Sequence, residues 1–505
     1  MVRAQTQVIR ALMATSAALI GLSLTPASAR AQQIPLAQLL PDLVLRDIAL
    51  VPMTANPPHD AHFSPLTNDP ANPAIPIVES FNGQMATQFS TFPLGSSSGG
   101  LTYVFDESVG TFRRGSRSFG PLFAERALTI GRRKLSAGFN YQRTSYNTFE
   151  GQNLRNGTIK FYLRHQDCCH FASPATVTGF SLTPLTGTDT LNPPFKGDVV
   201  ETALSLKATT QTTAAFINYG VTDRWDVGLA VPFVSVRLEA NVRARIIRLV
   251  TQPPPNANLT PAEVQGALNV HTFELNNPSA TKTFQRSGSA TGLGDVVLRS
   301  KYHVLRAAAG GLAVAVDLRM PTGDKENLLG AGGTQAKVLL VASDERGRFG
   351  HHINVGYTTA AGSVAGAPAG FSAAPLPDEI NYTGGMEFVA NPRLTLMGDV
   401  IGRTLRGAGR LAIVSKQFQY NEPTALLIGA APGPGCGGFV GFTCRTATFD
   451  EFAPTPGNLT LLLGTGGFKL NLAGNLLITG SVLFPLTDAG LRSRMTTVLG
   501  LDYAF

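Results

Sequence analysis

From Gly131 onward the chain alternates apolar and polar residues with a period of two, the spacing that sends successive side chains to opposite faces of a strand. Leu135, Ala137, Phe139 and Tyr141 alternate with Ser136, Gly138, Asn140 and Gln142. The pattern returns at Leu312, Val314, Val316, Leu318 and Met320 against Ala313, Ala315, Asp317 and Arg319. It recurs at Ile353, Val355 and Tyr357 against His352, Asn354 and Gly356, and at Ile380, Tyr382, Met386 and Phe388 against Glu379, Asn381, Thr383 and Glu387. The longer runs approach the roughly 9 to 11 residues with which a tilted strand crosses a bilayer.

Short connectors separate many of these runs, at Gly220–Arg224, Ala307–Gly310, Asp344–Arg348, Ala390–Arg393 and Leu472–Asn475. Others are long and rich in Pro, Gly, Asn and Thr, notably Asp167–Gly197, Gln252–Ala290 and Glu422–Pro456. Short turns at one end and long loops at the other are the architecture of an outer-membrane barrel. The pattern therefore predicts an all-β fold: a transmembrane antiparallel up-and-down β-barrel of about 12 strands, within a range of roughly 10 to 16.

Ahead of the alternation lie two segments of different character. Residues 1–31 read as a secretory signal, with Arg3 and Arg10, an apolar run from Ala11 to Leu24, and small residues at Ala27, Ala29 and Ala31. Residues 32–99 are Pro-rich and irregular, with one amphipathic piece over Leu36–Leu50, and read as a plug or a periplasmic extension. Residues 100–505 are assigned to the barrel. The expected location is the bacterial outer membrane, with its lipid as the first partner.

Composition narrows the alternatives. With 43% hydrophobic and 15% charged residues, the chain has ample apolar surface for a core, so disorder is excluded. No apolar stretch is long enough for a spanning helix. The net charge of +8 is carried by scattered Lys and Arg with no basic block, so nucleic acid is not an expected partner.

The chain ends in an amphipathic run in which Leu499, Leu501, Tyr503 and Phe505 share one face and Val498, Gly500, Asp502 and Ala504 the other. A last strand of this kind is expected to pair with the first and close the sheet. Gly500, Tyr503 and Phe505 look like the signal by which barrel assembly machinery selects its clients.

Three stretches, YGVTDRWDVGLAVPFVS from Tyr219 to Ser235, GLGDVVLRSKYHVLR from Gly292 to Arg306 and AVDLRMPTGDK from Ala315 to Lys325, resemble the meta-pathway phenol-degradation family of bacterial outer-membrane proteins. The resemblance extends diffusely over residues 119–505 and leaves residues 32–99 unexplained. It implies an outer-membrane barrel that passes small aromatic or other hydrophobic molecules. No catalytic residue carries over.

Candidate chemistry follows from which face each polar residue occupies. On the strands after Gly294, Val296, Leu298 and Tyr302 take one face, which leaves Asp295, Arg299, Lys301 and His303 on the other, and the next strand adds Asp317 and Arg319. Opposed charges in a narrow lumen create a field that selects permeants, so Asp295, Arg299, Lys301, Asp317 and Arg319 are the expected pore lining. The alternative is that these charges pair with one another to fill a closed interior. Further inward charges are expected at Lys160, Arg164, Lys207, Asp226, Glu387, Asp399 and Asp502.

The four cysteines, Cys168, Cys169, Cys436 and Cys444, fall in long loops of an exported chain and favour disulfides over a metal site, with Cys436 to Cys444 the preferred pair. Cys168 to Cys169 and cross-loop bridges remain the other pairings. The Gly330–Val338 stretch lacks the Gly-Lys-Ser/Thr ending of a phosphate-binding loop, and neither a G-x-S-x-G elbow nor an H-E-x-x-H helix is present. No cofactor, metal or catalytic group is expected. A closed barrel displaying loops to a partner, an outer-membrane hydrolase using His351 or His352, and a secreted β-sandwich are the competing readings.

Overall fold

The computed structural model describes residues 34–51, 74–91, 95–96, 100–106, 108, 111–164, 197–250, 271–274, 277, 279–307, 310–367, 373–423 and 442–505. The expected signal segment, residues 1–31, lies outside them.

The strands are β1 (Tyr103–Asp106), β2 (Thr111–Arg114), β3 (Leu135–Tyr146), β4 (Thr148–Phe149), β5 (Gln152–Asn153), β6 (Ile159–Arg164), β7 (Val199–Gly220) and β8 (Trp225–Ile247). They continue with β9 (Thr281–Leu293), β10 (Val297–Ala307), β11 (Gly310–Arg319), β12 (Gly333–Arg346), β13 (Phe349–Gly362), β14 (Glu379–Asn391) and β15 (Leu394–Leu405). The last are β16 (Arg410–Pro423), β17 (Phe442–Thr455), β18 (Leu459–Ala473), β19 (Leu476–Pro485), β20 (Leu491–Arg492) and β21 (Thr496–Ala504).

The wall is a closed antiparallel barrel of twelve strands in the order β3, β7, β8, β10, β11, β12, β13, β14, β15, β18, β19, β21, and back to β3. The seam runs from Thr496 opposite Thr144 to Ala504 opposite Ser136. Closure leaves no edge in the wall to recruit another chain. All five short connectors expected from the sequence fall between wall strands at one end, with Gly347 and Gly474 supplying left-handed turn positions at φ 62° and 59°.

Two wall strands are much longer than a bilayer requires. β7 and β8 rise above the barrel as a paired ribbon, with β6 continuing the line of β3 along β7 and β9 continuing the line of β10 along β8. Thus β9 begins at Thr281, inside a stretch expected to be loop. Likewise β17 lies within Glu422–Pro456, which was expected to be loop, and pairs with β16 in a two-stranded sheet separate from the wall.

The outer surface follows the alternation. Phe139, Leu229, Leu298, Val314, Leu340, Ile353, Val355, Leu396 and Leu499 are all exposed. In water such a belt would be costly, and in lipid it is the matching surface. Aromatic residues border it: Tyr219, Trp225, Tyr302, Phe349 and Phe505 toward the short turns, Phe233, Tyr357 and Phe484 toward the long loops. Tyr382 lies across from Gly402, and a Cβ at Gly402 would sit 1.9 Å from the Tyr382 ring. The glycine lets an aromatic ring lie flat on the neighbouring strand.

Above the belt this polarity inverts. Leu206, Ala208, Val236, Leu238, Val242 and Ile246 of β7 and β8 are buried on the inner face. They pack against the N-terminal segment, a 3-10 turn at Leu36–Gln38 followed by α1 (Leu39–Asp42), a π turn at Leu43–Asp47 and, after a gap in the described residues, α2 (Ala74–Ser90). In α2 the apolar Ile75, Phe81, Met85 and Phe89 and the polar Asn82, Gln84, Thr87 and Gln88 are all buried, as expected for a helix enclosed on every side. The Phe81 ring is 4.3 Å from that of Phe149, and Phe89 is 5.0 Å from Tyr146.

Candidate functional site

The interior of the barrel is threaded by the chain that precedes it. At the long-loop end Ala37 N donates to Glu326 O at 2.9 Å, and Asn82 Nδ2 to Gly366 O at 3.1 Å. At the short-turn end Tyr103 Oη donates to Asn475 Oδ1 at 3.2 Å and Arg133 N to Gly220 O at 2.7 Å.

Between these points the segment from Phe119 to Ile130 has little secondary structure of its own, so its backbone groups need partners from the wall. The inward polar residues supply them. Gly120 N donates to Glu387 Oε2 at 3.1 Å, Phe123 N to Asp399 Oδ2 at 2.9 Å, and Ile130 N to Asp226 Oδ2 at 3.0 Å. Asn354 clamps Glu125 through both ends of its amide, accepting from the backbone N at 2.7 Å and donating to the backbone O at 2.9 Å. The carbonyls are met by lysines: Lys469 Nζ reaches Pro121 O at 2.8 Å, and Lys301 Nζ reaches Leu128 O at 3.0 Å and Arg126 O at 3.2 Å. Hydrogen bonds to charged groups contribute about 1.5–3 kcal/mol each, so these side chains anchor the thread to the wall.

Above this thread and below α2 lies a cavity of about 130 Å³. Its charged lining consists of Arg299, Arg319, Lys337 and Arg403 against Glu125, Asp317 and Glu379. Arg299 of β10 stands opposite Asp317 of β11 and donates to both carboxylate oxygens and to Glu125. Lys337 Nζ closes on the same Asp317 at 3.0 Å. Arg319 and Arg403 turn instead to the C-terminus of α2, donating to Ser90 O at 2.9 Å and Thr91 O at 2.8 Å. There they meet the last carbonyls, which the helix itself leaves unpaired and which carry the negative end of its dipole.

Of the five residues expected to line a passage, Arg299, Asp317 and Arg319 border the cavity. Lys301 is inward and buried but serves the thread. Asp295 precedes β10 and accepts from Gly323 N at 3.0 Å and Ala331 N at 2.7 Å, which organises the connector between β11 and β12. Asp226, Glu387, Asp399 and Asp502 are buried, as expected of inward residues. Lys207, Lys160 and Arg164 are a correction. Lys207 is exposed and pairs with Glu239 at 3.1 Å, while Lys160 and Arg164 alternate with the inner Phe161 and Leu163. Lys207 and Lys160 lie on the outer face of the ribbon, where water replaces lipid and polarity no longer marks the inside, and Arg164 turns from that face to Glu451 of β17 at 3.9 Å.

His352 is buried against Glu387 and His351 faces outward. Gly500 is buried on the inner face of β21, and Tyr503 and Phe505 are stacked edge to face on the outer side at 4.7 Å. Cys168, Cys169 and Cys436 lie outside the described residues, and Cys444 is on β17. Sequence reasoning did not single out Glu125, Lys337, Glu379 or Arg403. For Lys337, Glu379 and Arg403 the alternation was available as a signal, whereas Glu125 lies in a segment with no period.

No family model and no curated protein matches the chain. Among solved structures, an outer-membrane channel of Pseudomonas putida F1 aligns at 10% identity and a TM-score of 0.39, over 75% of this chain and 98% of that one. The toluene transporter TbuX of Ralstonia pickettii aligns at 11% identity and a TM-score of 0.31, over 75% and 91% of the two chains. A FadL homologue of Pseudomonas aeruginosa gives 11% identity and a TM-score of 0.29 over the same shares. The fold assignment rests on the strand pairing described above.

Proposed function

We propose that the protein is a passive outer-membrane channel for small, hydrophobic or aromatic molecules, with its long loops outside the cell and its short turns in the periplasm. The observation that carries the reading is the luminal cavity: a twelve-strand wall with an apolar belt encloses a space of about 130 Å³ bordered by Arg299, Asp317 and Arg319. A wall built only to display loops has no need of such a space. Passage needs no cofactor and no catalytic group, and affinity is weak so that the permeant leaves.

Several finer assignments belong to the same proposal. Residues 1–31 direct export and are removed. Barrel assembly machinery inserts the chain, and its affiliation is with the meta-pathway phenol-degradation family that its sequence resembles. Cys436 pairs with Cys444, a reading supported by the place of both cysteines in one long-loop region of an exported chain.

Liposome swelling tests the reading. Vesicles carrying the full chain should swell in small aromatic acids faster than in sugars of similar mass. Folded protein that admits none of the solutes would return the assignment to a closed, loop-displaying barrel.

A further inference from the structure

Beside the central cavity, and sharing Ile401 and Arg403 with it, lies a second cavity of about 50 Å³ at the long-loop end. Its floor is apolar: Ile401, Leu461, Leu463, Leu483 and Leu491 come from β15, β18, β19 and β20. Two guanidinium groups border it. Arg403 is matched, bonded to Glu379 and to Thr91.

Arg492 is not. It is 5% exposed, and its one side-chain hydrogen bond among the described residues is from Nη2 to the neutral Thr487 Oγ1 at 2.8 Å. Its Nε is buried with no partner, and no carboxylate among the described residues lies within salt-bridge distance. Burial and the nearby Arg403 guanidinium, only partly offset by Glu150 and Asp488, push its pKa down to about 10, so it remains a cation at neutral pH. Glu150 and Asp488 attract it only from a distance, so a site that keeps this buried guanidinium without a carboxylate in contact is stabilised by an anion that reaches it.

We propose that Arg492 is the anion-recognition residue of a luminal binding site for small amphipathic monocarboxylates. The carboxylate accepts from Arg492 and the edge of Arg403, and the apolar body lies on the leucines. Forked donors suit a planar carboxylate better than a point charge. The leucine floor disfavours fully hydrated inorganic anions, and the unpaired guanidinium disfavours neutral hydrocarbons. In naming this anion a permeant the inference rests on the channel reading, but the binding itself does not.

The test is calorimetric titration of the full chain in detergent micelles with sodium benzoate, its neutral isostere benzyl alcohol, and sodium phosphate. Benzoate should bind at least about tenfold more tightly than either of the others. Arg492→Met should bring benzoate within about twofold of benzyl alcohol, because a charge-assisted bond has been lost and an apolar contact kept. Since that substitution removes an unpaired buried charge, the variant should fold at least as well as the parent. Arg492→Lys should retain part of the discrimination. Equal binding of benzoate and benzyl alcohol, an unchanged Arg492→Met, or phosphate binding as tightly as benzoate each overturns the proposal. Liposome swelling is read separately: protein that binds benzoate but passes no solute keeps this site and refutes the channel, whereas swelling without benzoate preference does the reverse.

Discussion

Arg299 and Asp317 face each other across neighbouring strands of the wall, and the guanidinium of Arg299 spans from that carboxylate to Glu125 in the luminal thread. One side chain therefore joins two wall strands to the segment they enclose. Both acids are buried, so neither is compensated by water if the arginine is lost.

Arg299→Met should lower stability by about 3–5 kcal/mol, the usual result of stranding a buried charge. Urea unfolding of the protein in lipid vesicles measures it. Arg299→Met with Asp317→Leu and Lys337→Met should recover part of the loss, since the added changes remove the acid together with the lysine that also pairs with it. If Arg299→Ala with Arg319→Ala leaves folding intact and ion selectivity unchanged, these residues do not select permeants.

Ile353 lies on the outer face of β13, 63% exposed and midway between the aromatic Phe349 and Tyr357. Ile353→Lys should cost about 2–4 kcal/mol in a bilayer, the penalty for a cation at its midplane. Unfolding in vesicles reads this cost. A change near zero would place the belt outside a membrane.

Gly402 accepts the Tyr382 ring against its backbone. Gly402→Val should push the ring off and destabilise the barrel by about 1–3 kcal/mol, as overpacking does elsewhere. Tyr382→Ala in the same background should relieve most of the added strain, and a thermal-melt series across the four proteins would reveal the coupling.

Asp378, in the connector between β13 and β14, accepts from Tyr357 Oη at 2.7 Å and from Ala360 N at 3.0 Å, and these bonds hold its carboxyl below the usual range. A depressed acid stabilises the fold above its unfolded pKa of about 3.9, and that contribution is lost as pH falls through the folded value. Amide exchange at Ala360 should therefore accelerate in acid relative to neighbouring amides, after correction for intrinsic rates. Asp378→Asn should abolish the difference.

The wall was legible in the sequence because lipid on one side and a polar lumen on the other impose opposite demands on alternate residues. That is why the face assignments of Leu298, Arg299, Asp317 and Asp399 hold. The same rule fails at Lys207 and Lys160, where the ribbon rises out of the belt, and the inner face, now packed on α1 and α2, is the apolar one. β9 was hidden for a related reason: its outward Thr283, Gln285, Ser287 and Ser289 face water, so its composition is that of a loop. The site was legible only in part. Asp317 and Arg319 announce themselves by alternation, but Glu125 and the carbonyls of Ser90 and Thr91 come from segments with no strand period.

The luminal thread has an implication for how the molecule is made. The described residues between 34 and 134 come before the wall in the chain and reach from the long-loop mouth to the short-turn mouth, where Leu135 begins the first wall strand and accepts from Phe505 N at 2.8 Å. The contents are thus synthesised before their container. The seam between β3 and β21 joins the strand that follows the thread to the last strand of the chain, so closing it encloses the thread, and the carboxylates that hold the thread tie the contents to the cylinder around them.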